Sequence, residues 1–235
     1  MANFLDFVFP KHCVSCKKLG SYLCENCFSY LSFNVKSLCL VCNKPTFNGL
    51  THPYCITKYS IDGCFSALPY NKTAQKLIYN FKYKPYLIDL KSVLVDLFYE
   101  SLIQNEDFNK ELEMDLPAGR QVFVPIPLFS SKLRKRGYNQ AEILAKELSK
   151  KFNVPFQNVL ERIRNTKTQV GMTNIERRKN IKDAFGLINH KSEILDQNVF
   201  LVDDVVTTGS TLLEAAKMLK RNGAKRVIGL TLARD

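Results

Sequence analysis

The chain has 235 residues, which suits one sizeable domain and a small additional module. Hydrophobic residues make up 46% and charged residues 24%, values near globular averages that exclude a wholly disordered or fibrous protein. The net charge of +12 favours polyanionic partners such as phosphorylated metabolites or nucleic acid, with a basic surface that only maintains solubility as the alternative.

The beginning of the chain carries no export signal. Residues 1–13 contain Asp6 and lack the basic start and the cleavage site of a secretory signal peptide. No apolar run approaches the roughly 20 residues that are needed to span a bilayer. We therefore expect a cytoplasmic protein with no transmembrane segment and with reduced thiols.

All eight cysteines lie before Phe65, which predicts a zinc-binding module over 1–58 and a second domain over 59–235. Two ligands separated by two residues can face one tetrahedral zinc ion across a tight turn, and this spacing occurs four times. We predict two structural zinc sites, one formed by Cys13, Cys16, Cys24 and Cys27 and the other by Cys39, Cys42, His52 and Cys55. Cys64 is an alternative to His52. Its distance from Cys55 in the sequence fits a zinc-binding pair poorly, and the role of a small buried apolar side chain fits it better.

Strand and helix patterns alternate after the cysteine module. Strands are predicted over 63–71, 122–128, 199–202 and 226–233, and helices over 73–81, 87–102, 138–152 and 212–222. A loop is expected over 105–119, and a mobile loop that leads into a short helix over 166–183. Asn139 and Glu142 are expected to form a capping box, and Gly223 to end the last helix. The alternation predicts an α/β domain with a mainly parallel sheet flanked by helices.

The segment VFLVDDVVTTGST, residues 199–211, carries the clearest functional pattern. Asp203 and Asp204 are predicted at the carboxyl end of a buried strand, where open α/β sheets bind ligands. The next hydroxyl and glycine residues offer backbone N–H groups to an anion at a helix start; they are Thr207, Thr208, Gly209, Ser210 and Thr211. Carboxylates accept hydrogen bonds from the hydroxyls of a sugar, so the combination indicates a sugar phosphate.

This segment has two alternative interpretations. A Walker A loop is excluded because no lysine follows Gly209. A strand and a polar turn before a helix capped by Thr211 and Glu214 remains the alternative without a ligand.

These motifs resemble those of a known family. VFLVDDVVTTGST looks like the phosphoribosyl pyrophosphate (PRPP) motif of type I phosphoribosyltransferases. The cysteine module followed by VPIPL, RKRGYNQAEILA, ERRKNIKDAF and VDDVVTTGSTL resembles the ComF family of competence-associated proteins linked to DNA uptake. The resemblance implies the type I phosphoribosyltransferase fold beside a zinc ribbon module. It also implies an enzyme that transfers a phosphoribosyl group from Mg-PRPP to an unidentified acceptor.

The resemblance also implies a role for each motif. Asp203 and Asp204 would contact the ribose hydroxyls, residues 207–211 the 5′-phosphate, and the turn containing Pro125 and Ile126 the pyrophosphate, with magnesium carried in by PRPP. The leaving group needs cations, and the candidates are Arg134, Lys135 and Arg136, with Arg177 and Arg178 as weaker ones. Solvated surface charge is the alternative for each of these.

The acceptor is not identified by the sequence. Thr207 stands where purine salvage members of the superfamily carry an acid that is thought to act as the base, which disfavours 6-oxopurine salvage. A competing hypothesis is a non-catalytic protein whose PRPP fold is a ligand sensor or an inert scaffold. It would bind single-stranded DNA through RKRGYN and through Phe28, Tyr30, Phe47 and Tyr54 of the cysteine module. Burial in the core is the more frequent role of aromatic side chains in so small a module.

Overall fold

The computed structural model describes residues 10–83, 87–113, 120–166, 173–188 and 194–235, with the backbone alone at 174 and 175. Parts of the two predicted loops, 114–119 and 167–172, lie outside the described residues. Within the described ranges, no helix is both long and apolar enough to cross a membrane.

The described elements follow the predicted alternation. The cysteine module contains α1 (Glu25–Phe28) and a 3₁₀ turn (Pro53–Cys55). The remaining elements are β1 (Gly63–Pro69), α2 (Lys72–Lys82), α3 (Leu90–Ile103), α4 (Glu106–Glu113), β2 (Gln121–Pro125), α5 (Ser130–Arg136), α6 (Gln140–Phe152), β3 (Leu160–Arg162), α7 (Asn174–Ile181), β4 (Phe185–Leu187), β5 (Asn198–Val206), α8 (Ser210–Arg221) and β6 (Arg226–Arg234).

The main sheet has four parallel strands in the order β1, β6, β5, β2, and β3 pairs with β4 in a separate antiparallel ribbon. Side chains alternate across β5, so that Phe200 enters the core on one face of the sheet and Leu201 the core on the other. Helices cover both faces, which explains why the central strands are nearly continuous apolar runs. The predicted mainly parallel α/β sheet is confirmed.

The strands next to β5 end at different levels. The last residue of β2, Pro125, pairs with Val202, whereas β6 continues alongside β5 until Arg234 pairs with Val206. The prediction that β5 ends at Val202 is therefore wrong, because the two aspartates lie inside the strand. They are nevertheless beyond the last partner on the β2 side, where the edge of β5 opens.

A helix occupies part of the predicted loop over 105–119. Asn105 starts α4, and its side-chain oxygen accepts a hydrogen bond from the backbone N–H of Phe108 at 2.9 Å. Phe108 is fully buried against Phe65, Phe152 and Phe200. The polar composition of this segment obscured a helix that one aromatic side chain anchors.

The predicted capping box of α6 does not form. The Asn139 amide nitrogen instead donates to the backbone carbonyl of Ile126 at 3.0 Å, and Glu142 pairs with Lys146. At the end of α8, Asn222 is the C-cap and Gly223 follows it with φ +99°, in the left-handed region that favours glycine.

Candidate functional site

The structure brings the predicted zinc ligands together in two sets of four. The ligand atoms of Cys13, Cys16, Cys24 and Cys27 all lie within 4.8 Å of one another, as do those of Cys39, Cys42, His52 and Cys55. Sulfur atoms bound to one tetrahedral zinc ion are about 3.8 Å apart, which follows from the usual Zn–S distance. Both sets are therefore compact enough to hold one ion each, with all four positions supplied by the protein.

The same turn begins both sets. The N–H of Lys17 donates to the carbonyl of Cys13 at 2.8 Å, and the N–H of Asn43 donates to the carbonyl of Cys39 at 2.8 Å. Lys17 and Asn43 both have positive φ, which lets the chain reverse and return the second thiol beside the first. This repeated backbone geometry is the local reason for the spacing of the cysteines.

His52 joins the second set, whereas Cys64 does not. The Nδ1 atom of His52 lies 3.3 Å from the Cys42 sulfur, and its Nε2 atom lies 3.0 Å from the Pro45 carbonyl, which orients the ring. Cys64 is buried in the core with Ile61 and Leu212. The structure thus favours His52 over Cys64 as the eighth ligand.

Loop 207–211 connects β5 to α8 through an exposed Thr207 and a buried Gly209. Gly209 has φ +71° and is the N-cap of α8, where no side chain caps the helix. The hydroxyls of Thr208 and Ser210 are buried and lie 2.8 Å apart. The first turn of α8 therefore presents its N–H groups and two hydroxyls, an arrangement that suits an anion.

The alternative cap for α8 does not form in the structure. Glu214 accepts a hydrogen bond from the backbone N–H of Asp183 at 3.0 Å and does not reach back to Thr211 in a capping box. The loop thus differs from an ordinary capped helix start.

The cysteine module packs directly on this loop. Leu40 lies in the sequence between the predicted ligands Cys39 and Cys42. Its side chain is buried in the same cluster as Leu212 and Val206. A Cβ atom on Gly209 would lie 3.0 Å from a Leu40 methyl group, so the close contact requires glycine. The second metal set and loop 207–211 are therefore neighbours through the apolar side chain of Leu40.

A basic cleft of about 180 Å³ opens beside the aspartates. The cavity that we call the basic cleft is lined by four cationic side chains and by both carboxylates. Polar and apolar groups that include Ile126 and Thr211 complete its lining. The four cations are Lys82, Lys132, Arg136 and Arg162. The open edge of β5 is thus the acidic wall of a predominantly basic cavity.

Burial and charge shape the protonation of the cleft. Burial and the neighbouring Asp204 carboxylate raise the pKa of Asp203 to about 7. The Nζ atom of Lys82 lies 2.7 Å from the Oδ1 atom of Asp204. Burial alone would lower the pKa of Lys82, but the charge of Asp204, its hydrogen bond to Lys82 and the charge of Asp203 together outweigh burial and raise that pKa. Burial, with neighbouring cations, lowers the pKa of Lys132. An anion bound in the cleft would reduce the electrostatic repulsion among these cations.

The structure separates the predicted basic residues. Arg136 lines the basic cleft and lies over the ring of Tyr83, whereas Arg134 and Lys135 are exposed on α5 and do not line it. Arg177 donates from Nη1 to the Thr207 hydroxyl at 2.6 Å, and Arg178 is exposed on α7. Ile126 lines the cleft, one residue after Pro125 ends β2.

Sequence reasoning missed three cations of the cleft, Lys82, Lys132 and Arg162. They come from α2, α5 and β3, which are far apart in the chain. No motif joins them, so only the tertiary structure could have identified them as a group.

Most of the sequence aligns with a known protein. Competence protein F of Haemophilus influenzae is 31% identical over 234 residues, which cover 91% of this chain and 97% of that protein. The chain belongs to the ComF family. Competence protein ComFC of Bacillus subtilis is 28% identical over 224 residues, which cover 91% of this chain and 84% of that protein. The predicted resemblance to the ComF family is confirmed.

Two domain models account for the two kinds of site. Residues 4–57 match the double zinc ribbon domain, and residues 135–235 match the phosphoribosyl transferase domain. DNA utilization protein YhgH of Escherichia coli K12 is 37% identical over 105 residues, which cover 44% of this chain and 45% of that protein. The zinc ribbon match and the two ligand sets together support zinc in this ComF family member.

Zinc content separates the two candidates for the eighth ligand. The protein is expected to hold two zinc ions per chain, one for each set. His52→Ala should lose the second ion on dialysis against a weak chelator, because three ligands hold it less tightly. Cys64→Ser should retain both ions when measured by atomic emission. Loss of zinc from Cys64→Ser with retention in His52→Ala would contradict the assignment.

The Asp203 pKa predicts a specific dependence of stability on pH. An unfolded aspartate titrates near pH 3.9, so between about pH 4 and pH 7 the folded protein retains a proton that the unfolded chain has lost. The stabilisation from this proton therefore falls as the pH rises through that window. Asp203→Asn should gain melting temperature relative to the parent protein between about pH 5.5 and about pH 8.

A matched control tests this interpretation of the pH effect. Asp96 is exposed and pairs with Lys151, so the melting temperature of Asp96→Asn should differ from the parent by a constant amount. A constant difference for Asp203→Asn as well would show that its carboxyl does not titrate in this range.

Proposed function

We propose that the chain binds Mg-PRPP and transfers its phosphoribosyl group to an acceptor during DNA uptake. The observation that carries the proposal is that the basic cleft, with both aspartates and four cations, adjoins a smaller cavity along loop 207–211, and that Asp203 and Thr211 line both. The phosphoribosyl transferase match supports it, as do relatives named for competence and DNA utilization. The proposal divides the chain into a zinc module over 1–58 and a transferase-like domain over 59–235.

Loop 207–211 would bind the 5′-phosphate. The uncapped first turn of α8 donates N–H groups, and the buried Thr208 and Ser210 add hydroxyls. Asp203 and Asp204 would accept hydrogen bonds from the ribose hydroxyls. Because Asp204 already pairs with Lys82 at 2.7 Å, its carboxylate is held in place before the sugar enters.

The basic cleft would hold the pyrophosphate. Displacement of pyrophosphate from the anomeric carbon passes through an oxocarbenium-like state, so cations that stabilise the departing oxygens lower the barrier. Lys132, Arg136 and Arg162 are the cleft cations without a carboxylate partner among the described residues. Magnesium bound to PRPP would neutralise part of the remaining phosphate charge.

The acceptor is not a 6-oxopurine in this proposal. Thr207 offers a hydroxyl where purine salvage enzymes of the superfamily carry an acid, and that hydroxyl already accepts a hydrogen bond from Arg177. An uncharged group held by a guanidinium is a poor general base.

Titration calorimetry with Mg-PRPP tests the proposal. The zinc-loaded protein should bind Mg-PRPP, and Asp203→Ala should weaken binding by about ten- to a hundredfold, as expected for a lost hydrogen bond to a charged group. Asp96→Ala removes an exposed carboxylate elsewhere and should bind like the parent. No heat from the parent protein, or equal affinity in Asp203→Ala, would refute this binding site.

A second function is favoured by the surface of the cysteine module. Phe47 is fully exposed, Tyr30 and Tyr54 are each 73% exposed, and Phe28 is 46% exposed. The expectation that these rings belong mainly to the core is therefore wrong, because the metal sets and a few aliphatic residues fill the interior of the module. Exposed lysines lie near them in the sequence, at Lys17, Lys18, Lys36 and Lys44. Such a surface suits stacking on the bases of single-stranded DNA.

Filter binding over a range of salt concentrations tests the second function. Phosphate contacts predict a steep fall of affinity for single-stranded DNA with rising salt. Phe47→Ala should weaken binding by about five- to a hundredfold, the range expected for one lost base stack. Tyr79→Ala, which removes an exposed ring from α2, is the control and should change little. A flat salt dependence would exclude this surface as the DNA site.

A further inference from the structure

A second cavity of about 190 Å³ lies at the opposite edge of the sheet. Its walls come from residues 33–37 of the cysteine module, from β1, from the end of α3 and from Arg234 at the end of β6. We call it the edge cavity. It shares no lining residue with the basic cleft, and nothing in the proposed transfer reaction uses it.

Arg234 is an unusual residue in this cavity because a guanidinium is seldom buried without a carboxylate. Its side chain is 8% exposed, and its Nε donates to the Ser66 hydroxyl over a long 3.4 Å. Its Nη2 is buried and has no hydrogen-bond partner among the residues that the structure describes. Removing a cation from water without a counter-charge is costly, so a ligand that supplies the missing acceptor would be favoured.

Two hydroxyls of the cavity wall already have other partners. The Ser66 hydroxyl is already 2.7 Å from the Thr231 hydroxyl, and Ser101 donates to the Ala67 carbonyl. Among the described residues no Asp or Glu lines the edge cavity, whereas Lys36 lines it as a second cation. The walls therefore place two positive charges around one small polar space.

We propose that the edge cavity binds a small molecule through its phosphate monoester group. A dianion neutralises both cations, and the planar guanidinium of Arg234 can donate two parallel hydrogen bonds to phosphate oxygens. The volume is below that of pockets for drug-sized molecules, which restricts the ligand to a small phosphorylated compound. This site is separate from loop 207–211, and its existence does not depend on the proposed transferase activity.

Calorimetric titration of the zinc-loaded chain with inorganic phosphate tests the proposal. Arg234→Met keeps an apolar side chain in place and should weaken binding at the edge cavity by about thirtyfold or more, as expected when a buried charge loses its partner. Lys36→Ala removes an exposed cation and should weaken binding by about two- to fivefold. Phosphate that binds at loop 207–211 should persist in both variants, so that the two sites are counted separately.

Two controls make the result decisive. Lys225→Ala removes an exposed cation far from the cavity lining, and it should bind phosphate like the parent. Acetate, which carries a single charge, should bind more weakly than phosphate. Equal phosphate affinity in the parent and in Lys36→Ala and Arg234→Met would overturn the proposal. Equal weakening by Lys225→Ala, or acetate binding as tight as phosphate, would also overturn it. If Arg234→Met does not fold, as judged by circular dichroism, Lys36→Ala decides.

Discussion

The unequal length of the strands on either side of β5 is the constraint on which the candidate site depends. On one side β6 pairs with β5 up to Val206, which holds the backbone of both aspartates rigidly in the sheet. On the other side pairing with β2 ends where Pro125 meets Val202, and the N–H of Ile126 donates to the Val202 carbonyl at 2.8 Å. The carboxylates are thus fixed by one neighbour and left to line the basic cleft by the absence of the other, a combination that an exposed loop could not provide.

The contact between Leu40 and Gly209 links the zinc module to the site. Coordination of a structural zinc ion contributes on the order of 10 kcal/mol of coupled binding and folding free energy, so the second metal set should decide whether Leu40 is held in place. The loop below it contains buried hydroxyls and a glycine with positive φ, and it has few apolar contacts of its own. The module therefore packs on the loop through Leu40, and it also carries the surface that we propose for single-stranded DNA.

Features that depend on residues close together in the sequence were predicted well. Features that depend on contacts between residues far apart in the sequence were not. Strands β1, β2, β5 and β6 were recognised from apolar runs, and the zinc ligands from their spacing. The helix α4 was missed because contacts with distant residues anchor it, through Phe108 in the core and Glu111 with Arg226. The cap of α6 was misassigned because Asn139 bonds to Ile126 outside the helix. Lys82, Lys132 and Arg162 were missed because the fold alone brings them together.

The charges of the basic cleft explain why magnesium belongs in the proposed reaction. Four cations outnumber two carboxylates there, and yet burial still raises the pKa of Asp203 to about 7. A pyrophosphate brought in alone would repel the Asp203 carboxylate and raise its pKa further. A divalent ion carried by the same ligand reverses this effect, because it favours the carboxylate forms that accept hydrogen bonds from the ribose. In the proposed reaction the aspartates therefore suit a metal-bound sugar phosphate better than a bare polyphosphate.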